Sequence, residues 1–297
     1  MGDDGIDGIR RLLSSKPRPV TLAERRERLD EIGSVDPPAA DIRFDPGILR
    51  DVPVEWSLAP GSDRSHVMVY FHGGGYSSGS IRSHRGMVSE AGRAAQVRTL
   101  AVSYRLAPEN PFPAALEDAV SVYDALLDTG VAPEHIAIAG DSAGGGLTLA
   151  LMMRLRDSAK PLPACGWLIS PWVDLTLTGE SLATKADVDP IISQTYLGEL
   201  AGAYLAGASP TNPLVSPLYA DLTGLPPLLI QVGSAETLLD DAVRIASRSG
   251  AADVATSLEI WPHMIHAWPL WAARVKDGRR AIASAGSFMG ARLSSAQ

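Results

Sequence analysis

Short, nearly continuous apolar runs recur along this chain. Val67–Phe71, Thr99–Tyr104, Ile136–Ala139, Cys165–Ile169 and Leu228–Val232 each read as a buried strand, Val52–Leu58 alternates loosely before them, and Ser257–Trp261 ends the series. Between most of these runs lie segments with apolar residues at helical spacing, over about 83–95, 114–128, 146–158 and 240–249, and another over 270–292 closes the chain. Unbroken apolar strands separated by helices predict an α/β architecture, a mostly parallel central sheet with both faces covered.

Two regions break the rhythm. Residues 1–45 read as two short helices with a hinge: Thr21 and Glu24 have capping-box spacing, Leu22, Leu29 and Ile32 share one side of the second helix, and Pro37-Pro38 ends it. Such a pair cannot form a core alone and must dock on something; Arg25, Arg26 and Arg28 read most simply as its solvated face. From Pro171 to Pro226 there is no strong strand, only a candidate helix near 194–206 and the joints Ser209-Pro210, Asn212-Pro213 and Ser216-Pro217. The expected division is a helical cap made of residues 1–45 and an insertion over 173–215, set on an α/β domain of residues 46–172 and 216–297.

Composition narrows the function classes. In 297 residues, 45% hydrophobic and 20% charged, there is enough apolar material for a large core. The formal net charge of −8, with no Lys/Arg cluster, argues against a nucleic-acid partner. No run approaches the length of a membrane span, and the acidic opening Met1–Asp7 lacks the apolar core of a secretory signal, so a cytoplasmic protein without a membrane partner is expected. The single cysteine, Cys165, sits in an apolar run and reads as a small buried hydrophobe.

Ligands of open α/β sheets gather at the carboxyl ends of the strands. After Ile136–Ala139 comes Gly140-Asp141-Ser142-Ala143-Gly144, followed by an apolar helical run from Leu147. A lone Gly-x-Ser-x-Gly is common in inert loops, but strand, turn and helix together are the context of a nucleophile elbow, where a sharp turn exposes the serine beside the positive end of a helix. After Phe71 comes His72-Gly73-Gly74-Gly75-Tyr76, whose glycines leave backbone N–H groups open to close approach, as an oxyanion site needs. His72, ahead of the serine in the chain and beside the glycines, reads as structural.

After Tyr104 comes Arg105-Leu106-Ala107-Pro108-Glu109. Together the three motifs, His72–Gly75, Tyr104–Glu109 and Gly140–Gly145, resemble the hormone-sensitive-lipase-type branch of the α/β-hydrolases, the bacterial family IV esterases. The resemblance runs from about residue 50 to 290. It implies an α/β-hydrolase fold, a serine carboxylesterase needing no metal or organic cofactor, oxyanion donors at Gly74, Gly75 and Ala143, and a small-molecule ester as partner. Members of the family often form homodimers, commonly through the last strand.

A serine hydrolase needs an orienting acid and a base in the chain order Ser, Asp/Glu, His. After Leu228–Val232 the family usually carries Asp-Pro-Leu-x-Asp-Glu; setting Leu238 and Asp240 on that pattern puts Glu236 at the acid position, a Glu in place of Asp. Either carboxylate can hold the imidazole. Asp240 and Asp174 are the competing acids that chain order allows, and Asp240 also fits as a helix N-terminal charge. After the last strand, Met264-x-His266 with Trp268 fits the family's pattern for the base, which leaves His263 as a loop or cap contact and makes a His263-x-x-His266 metal site a weak reading. Tyr76, Trp172 and Tyr196, with Tyr204 and Leu205, are candidates to line a substrate pocket, although core packing explains such residues equally well. Without a long apolar lid, short- to medium-chain esters are expected rather than triglycerides. An ε-lactone hydrolase using the same triad is the alternative. A receptor-like binding module on this fold is disfavoured, because such relatives have lost the histidine that His266 supplies.

Overall fold

The central strands are apolar on both sides because both sides are covered. In a computed structural model describing residues 5–17 and 19–293, Ile136 and Ile138 of β5 (Ile136–Asp141) enter one hydrophobic core, and the intervening Ala137 and Ala139 enter another on the opposite face. The neighbouring strand β3 (Asp63–Phe71) splits in the same way: Val67, Val69 and Phe71 to one side, Met68 and Tyr70 to the other.

Eight strands form one sheet. With β1 (Arg43–Leu49), β2 (Val52–Leu58), β4 (Val97–Val102), β6 (Cys165–Ile169), β7 (Leu228–Gly233) and β8 (Thr256–Trp261), the order is β1-β2-β4-β3-β5-β6-β7-β8. From β4 to β8 all pairings are parallel, while β1–β2 and β2–β4 are antiparallel. Helices α4 (Ala114–Asp128), α5 (Ala143–Asp157) and α8 (Leu239–Ala251) cover one face; α3 (Ile81–Ala95) and α9 (Lys276–Leu293) cover the other.

Strand β1 and the closing helix differ from the sequence expectation. Strand β1 was not anticipated; its first three residues, Arg43–Asp45, lie inside the segment assigned to the cap, and it pairs with β2 through a turn in which Arg50 and Asp51 both have positive φ. Its Asp45-Pro46-Gly47 reads locally as a loop, and only an edge position, with one neighbour to hydrogen-bond, tolerates Pro46. The closing helix starts at Lys276, not near 270, because Pro269 sits in a separate 3-10 turn, Trp268–Trp271. Among the described residues no helix is long and apolar enough to cross a membrane; Met1–Asp4, where the charge of the N-terminus was read, lie outside them.

The N-terminal helices α1 (Gly5–Ser14) and α2 (Leu22–Gly33) dock where the strands end. The Thr21–Glu24 capping box forms in full. Ile9 and Ile32 pack with Met264, Ile265, Trp268 and Trp271, and the Trp271 indole donates to the Ile32 carbonyl. The arginines of α2 are not a free solvated face. Arg26 donates to both Glu109 carboxylate oxygens (2.9 and 2.7 Å) and to the carbonyls of Ser77 and Ala107, so it clasps the segment after β3 to the segment after β4. Arg26→Ala is therefore expected to expose the linker between α1 and α2 to faster cleavage in limited proteolysis, whereas replacing the exposed Arg11 leaves the rate unchanged.

Candidate active site

Ser142 occupies the turn between β5 and α5 with φ 53° and ψ −120°, a backbone conformation that L residues rarely adopt. The surroundings hold it there. Its N–H donates to the Ile169 carbonyl, and its carbonyl accepts from Gly145, Gly146 and Trp172. So tight a turn needs hydrogen side chains beside it: a Cβ on Gly144 would lie 1.9 Å from the Phe71 carbonyl oxygen.

His266 follows β8 and is buried, its Nδ1 3.2 Å from Glu236 Oε1. With Nδ1–H donating to the carboxylate oxygen, the neutral ring would keep its lone pair on Nε2. The other oxygen, Glu236 Oε2, accepts from the Ser170 hydroxyl (2.8 Å) and the Gly233 N–H (2.9 Å), and Ser170 Oγ in turn accepts from the Ala267 N–H. The longer Glu side chain is thus pinned at both oxygens. Burial disfavours the imidazolium of His266, but the hydrogen bond and charge of Glu236, reinforced by the charges of Asp189 and Asp141, outweigh it and hold the pKa above the ordinary imidazole value.

The competing carboxylates are engaged elsewhere. Asp174 accepts from Thr176, Thr178 and Arg244, and Asp240 accepts from the Ser181 N–H. His263 is exposed on a left-handed turn, and its carbonyl accepts from Arg10 of α1. It is a contact to the N-terminal helices.

The glycine run after β3 is oriented from behind. His72 Nδ1 donates to the Gly73 carbonyl (2.8 Å), and the Gly74 carbonyl accepts from the N–H groups of Ser77 and Ser78 and from the Ser78 hydroxyl. In a trans peptide the carbonyl and the following N–H point in opposite directions, so tying back these two carbonyls turns the N–H groups of Gly74 and Gly75 the other way. Glycine is required here, since Gly74 has φ 115° and a Cβ on it would meet the Ser78 carbonyl oxygen at 2.3 Å. Burial, aided by the charge of nearby His84, lowers the His72 pKa to about 4 and keeps its ring neutral. Tyr104 stacks on that ring and donates to the His72 carbonyl, which gives the Tyr104–Glu109 motif a physical role.

A cavity of about 420 Å³ contains Gly73, Gly74, Gly75, Ser142 and His266 in its lining, with Arg25 and Leu29 of α2, Ile191, Ile192 and Tyr196 among its other walls. Tyr196 therefore lies where a pocket residue was expected, beneath the Arg25 guanidinium. Tyr76 and Trp172 do not line it. Both are buried behind the loop, Tyr76 stacked on Tyr204 with centroids 3.7 Å apart, so their aromatic area serves the core. Sequence reasoning overlooked Arg25, Arg28 and His84 as lining residues and Asp141 as a tie: the Asp141 carboxylate accepts from Tyr70, the Gly73 N–H and His84. Buried His84 follows the α3 capping Ser83, a polar pair on an apolar helix face that could have drawn notice.

A serine on a strained turn, a histidine held by a carboxylate and oriented N–H groups in one cavity are the parts of nucleophilic acyl transfer. Residues 68–270 match the family model for the alpha/beta hydrolase fold. The chain is 46% identical over 235 residues to an acetyl-hydrolase of Streptomyces hygroscopicus, covering 79% of this chain and 78% of that protein. The chain belongs to the hormone-sensitive-lipase-like carboxylic ester hydrolases of the α/β-hydrolase fold. It is also 35% identical to an esterase of Acinetobacter venetianus, over 92% of this chain and 90% of that protein. The crystal structure of an esterase from the bacterial hormone-sensitive lipase family superposes with a TM-score of 0.94 at 45% identity, covering 96% of both chains.

Replacing His72 by Leu removes the donor behind Gly73 while keeping an apolar ring-sized filler. Kinetics with p-nitrophenyl acetate are expected to show a loss in kcat approaching the roughly 10²–10³-fold attached to one oxyanion donor, with KM changed far less.

Proposed function

We propose that this hydrolase cleaves short- to medium-chain carboxylic esters through an acyl-enzyme on Ser142, with His266 as general base and Glu236 as its orienting acid. The observation that carries the reading is the His266–Glu236 contact at 3.2 Å, with His266 and Ser142 lining one cavity. The Ser142 hydroxyl attacks the ester carbonyl carbon as its proton passes to His266 Nε2. The carbonyl oxygen becomes an oxyanion facing the N–H groups of Gly74, Gly75 and Ala143. As the intermediate collapses the C–O bond to the alcohol breaks, and the departing alkoxide takes the proton from His266. Water then gives a proton to His266 and attacks the acyl carbon; the second tetrahedral intermediate expels Ser142, which regains the proton, and the acid leaves.

A volume of about 420 Å³ stands near the lower end of the roughly 300–1,000 Å³ usual for small-molecule sites, which supports short and medium acyl chains over triglycerides. The segment preceding β1 and residues 173–215 are proposed to act together as the cap; the lining residues Leu13, Arg25, Leu29, Ile191 and Tyr196 support this.

A p-nitrophenyl ester series of increasing chain length tests the reading. Ser142→Ala and His266→Ala are expected to lose about 10⁶-fold in kcat, and Glu236→Gln about 10⁴-fold, while Asp174→Asn and Asp240→Asn lose far less. Ordinary activity in Ser142→Ala would overturn the assignment, and a larger loss in Asp240→Asn or Asp174→Asn than in Glu236→Gln would move the acid.

The base must be neutral to take the serine proton, so kcat/KM falls as pH drops through the His266 pKa. Because that pKa is raised, the midpoint of the acid limb is expected above 6.5, and because Glu236 stabilises the imidazolium, Glu236→Gln should move it downward.

A further inference from the structure

One wall of the cavity, Pro190–Ser193, belongs to a stretch of turns between α6 (Ser181–Thr184) and α7 (Gln194–Leu205). Ser193 at its end caps α7 and Ile192 is buried in the core, while the backbone N–H groups of Ile191 and Ile192 are held by one side chain. Asp189 is 3% exposed, and its Oδ1 accepts from the N–H groups of Ile191 and Ile192, each at 2.9 Å. Its Oδ2 accepts from the Thr237 N–H at 2.8 Å and the Thr237 hydroxyl at 3.0 Å. Four donors on two oxygens make a buried carboxylate tolerable in its charged form.

Thr237 immediately follows Glu236, the residue that holds His266. One buried carboxylate therefore grips a wall of the substrate cavity with one oxygen and the loop of the proposed triad acid with the other. We propose that Asp189 is a positioning residue that sets acyl-chain selectivity and the state of the Glu236–His266 pair together. This rests on the reading of Ser142 and His266 as nucleophile and base.

A tie that only held the chain together would be replaceable by any well-packed polar group. Asp189 also carries charge toward the base. The charged groups facing His266 are Glu236 from the loop after β7, Asp189 from the insertion and Asp141 from the turn before α5, and all three favour the imidazolium. His84, from α3, lines the same cavity. Asparagine at position 189 would keep the volume, but it would set an NH₂ against N–H donors on one side and remove the charge.

The test uses the full chain, with p-nitrophenyl butyrate and octanoate as probes. For Asp189→Asn the expected result is a drop of about 10–100-fold in kcat/KM for the better ester, a changed butyrate-to-octanoate ratio and an acid-limb midpoint shifted downward. Thr237→Val keeps the branched volume and the N–H donor and removes only the hydroxyl; it is expected to change the ratio in the same direction by less. Ile192→Ala should change the ratio and leave the midpoint in place. Unchanged ratio and midpoint in a folded Asp189→Asn protein overturn the proposal; if that protein does not fold, an unchanged ratio in Thr237→Val overturns it. Failure of the underlying reading shows separately, as ordinary hydrolysis of both esters by Ser142→Ala.

Discussion

The site depends on one buried carboxylate beside the serine. Asp141 ends β5 and precedes the strained turn at Ser142, and its oxygens collect the Tyr70 hydroxyl of β3, the Gly73 N–H of the glycine loop and the His84 ring of α3. Burial alone would raise its pKa, but the charge and hydrogen bond of His84, with the Tyr70 hydroxyl, pull it below the ordinary value. The same dipeptide that carries the proposed nucleophile therefore fixes the loop whose N–H groups would meet the oxyanion. Strain at Ser142 persists because the close-packed glycines and this network over-determine the turn.

A second group of carboxylates fastens the insertion to the other half of the site. Asp241 of α8 accepts from the N–H groups of Val173 and Asp174, Asp240 from Ser181, and Asp189 from Thr237. Burial pushes the Asp241 carboxyl up to about 7 despite those backbone donors and Arg244. All these contacts converge on the start of α8 and the loop before it, where Glu236 lies. The pocket wall and Glu236, the proposed acid, are thereby held by the same short stretch of chain.

What was legible in the sequence was what local pattern dictates. The continuous runs at Val67–Phe71, Ile136–Ala139 and Leu228–Val232 became central strands because a two-faced burial leaves no room for polar alternation. The turn at Ser142 was legible because its glycines have steric causes within a few residues; chain order allowed both His263 and His266 after β8, and only the family's Met-x-His pattern pointed to His266, which lines the cavity. Partners far apart in sequence left no such trace. Arg26 meets Glu109 across 83 positions and Arg25 meets Glu199 across 174, so charges that look solvated in a helix turn out to grip the loop after β4 and helix α7 beside the cavity. Tyr76 and Trp172 stand at strand ends like binding residues, yet the choice between cavity and core was made by Tyr204 and the elements behind the loop. The carboxylate ties at Asp141 and Asp189 were hidden for the same reason: the donors to Asp141 come from β3, α3 and the glycine loop, and those to Asp189 are mostly backbone N–H groups, which no side-chain pattern announces.

The central claim, that Ser142 carries the acyl group, is tested most directly by quenching the enzyme in acid during turnover of p-nitrophenyl acetate and locating the acetyl group by peptide mass spectrometry. The account predicts an acetyl adduct on the peptide containing Ser142, formed in the wild type and absent from Ser142→Ala. An adduct on another residue, or turnover without any adduct in a protein lacking Ser142, would contradict it.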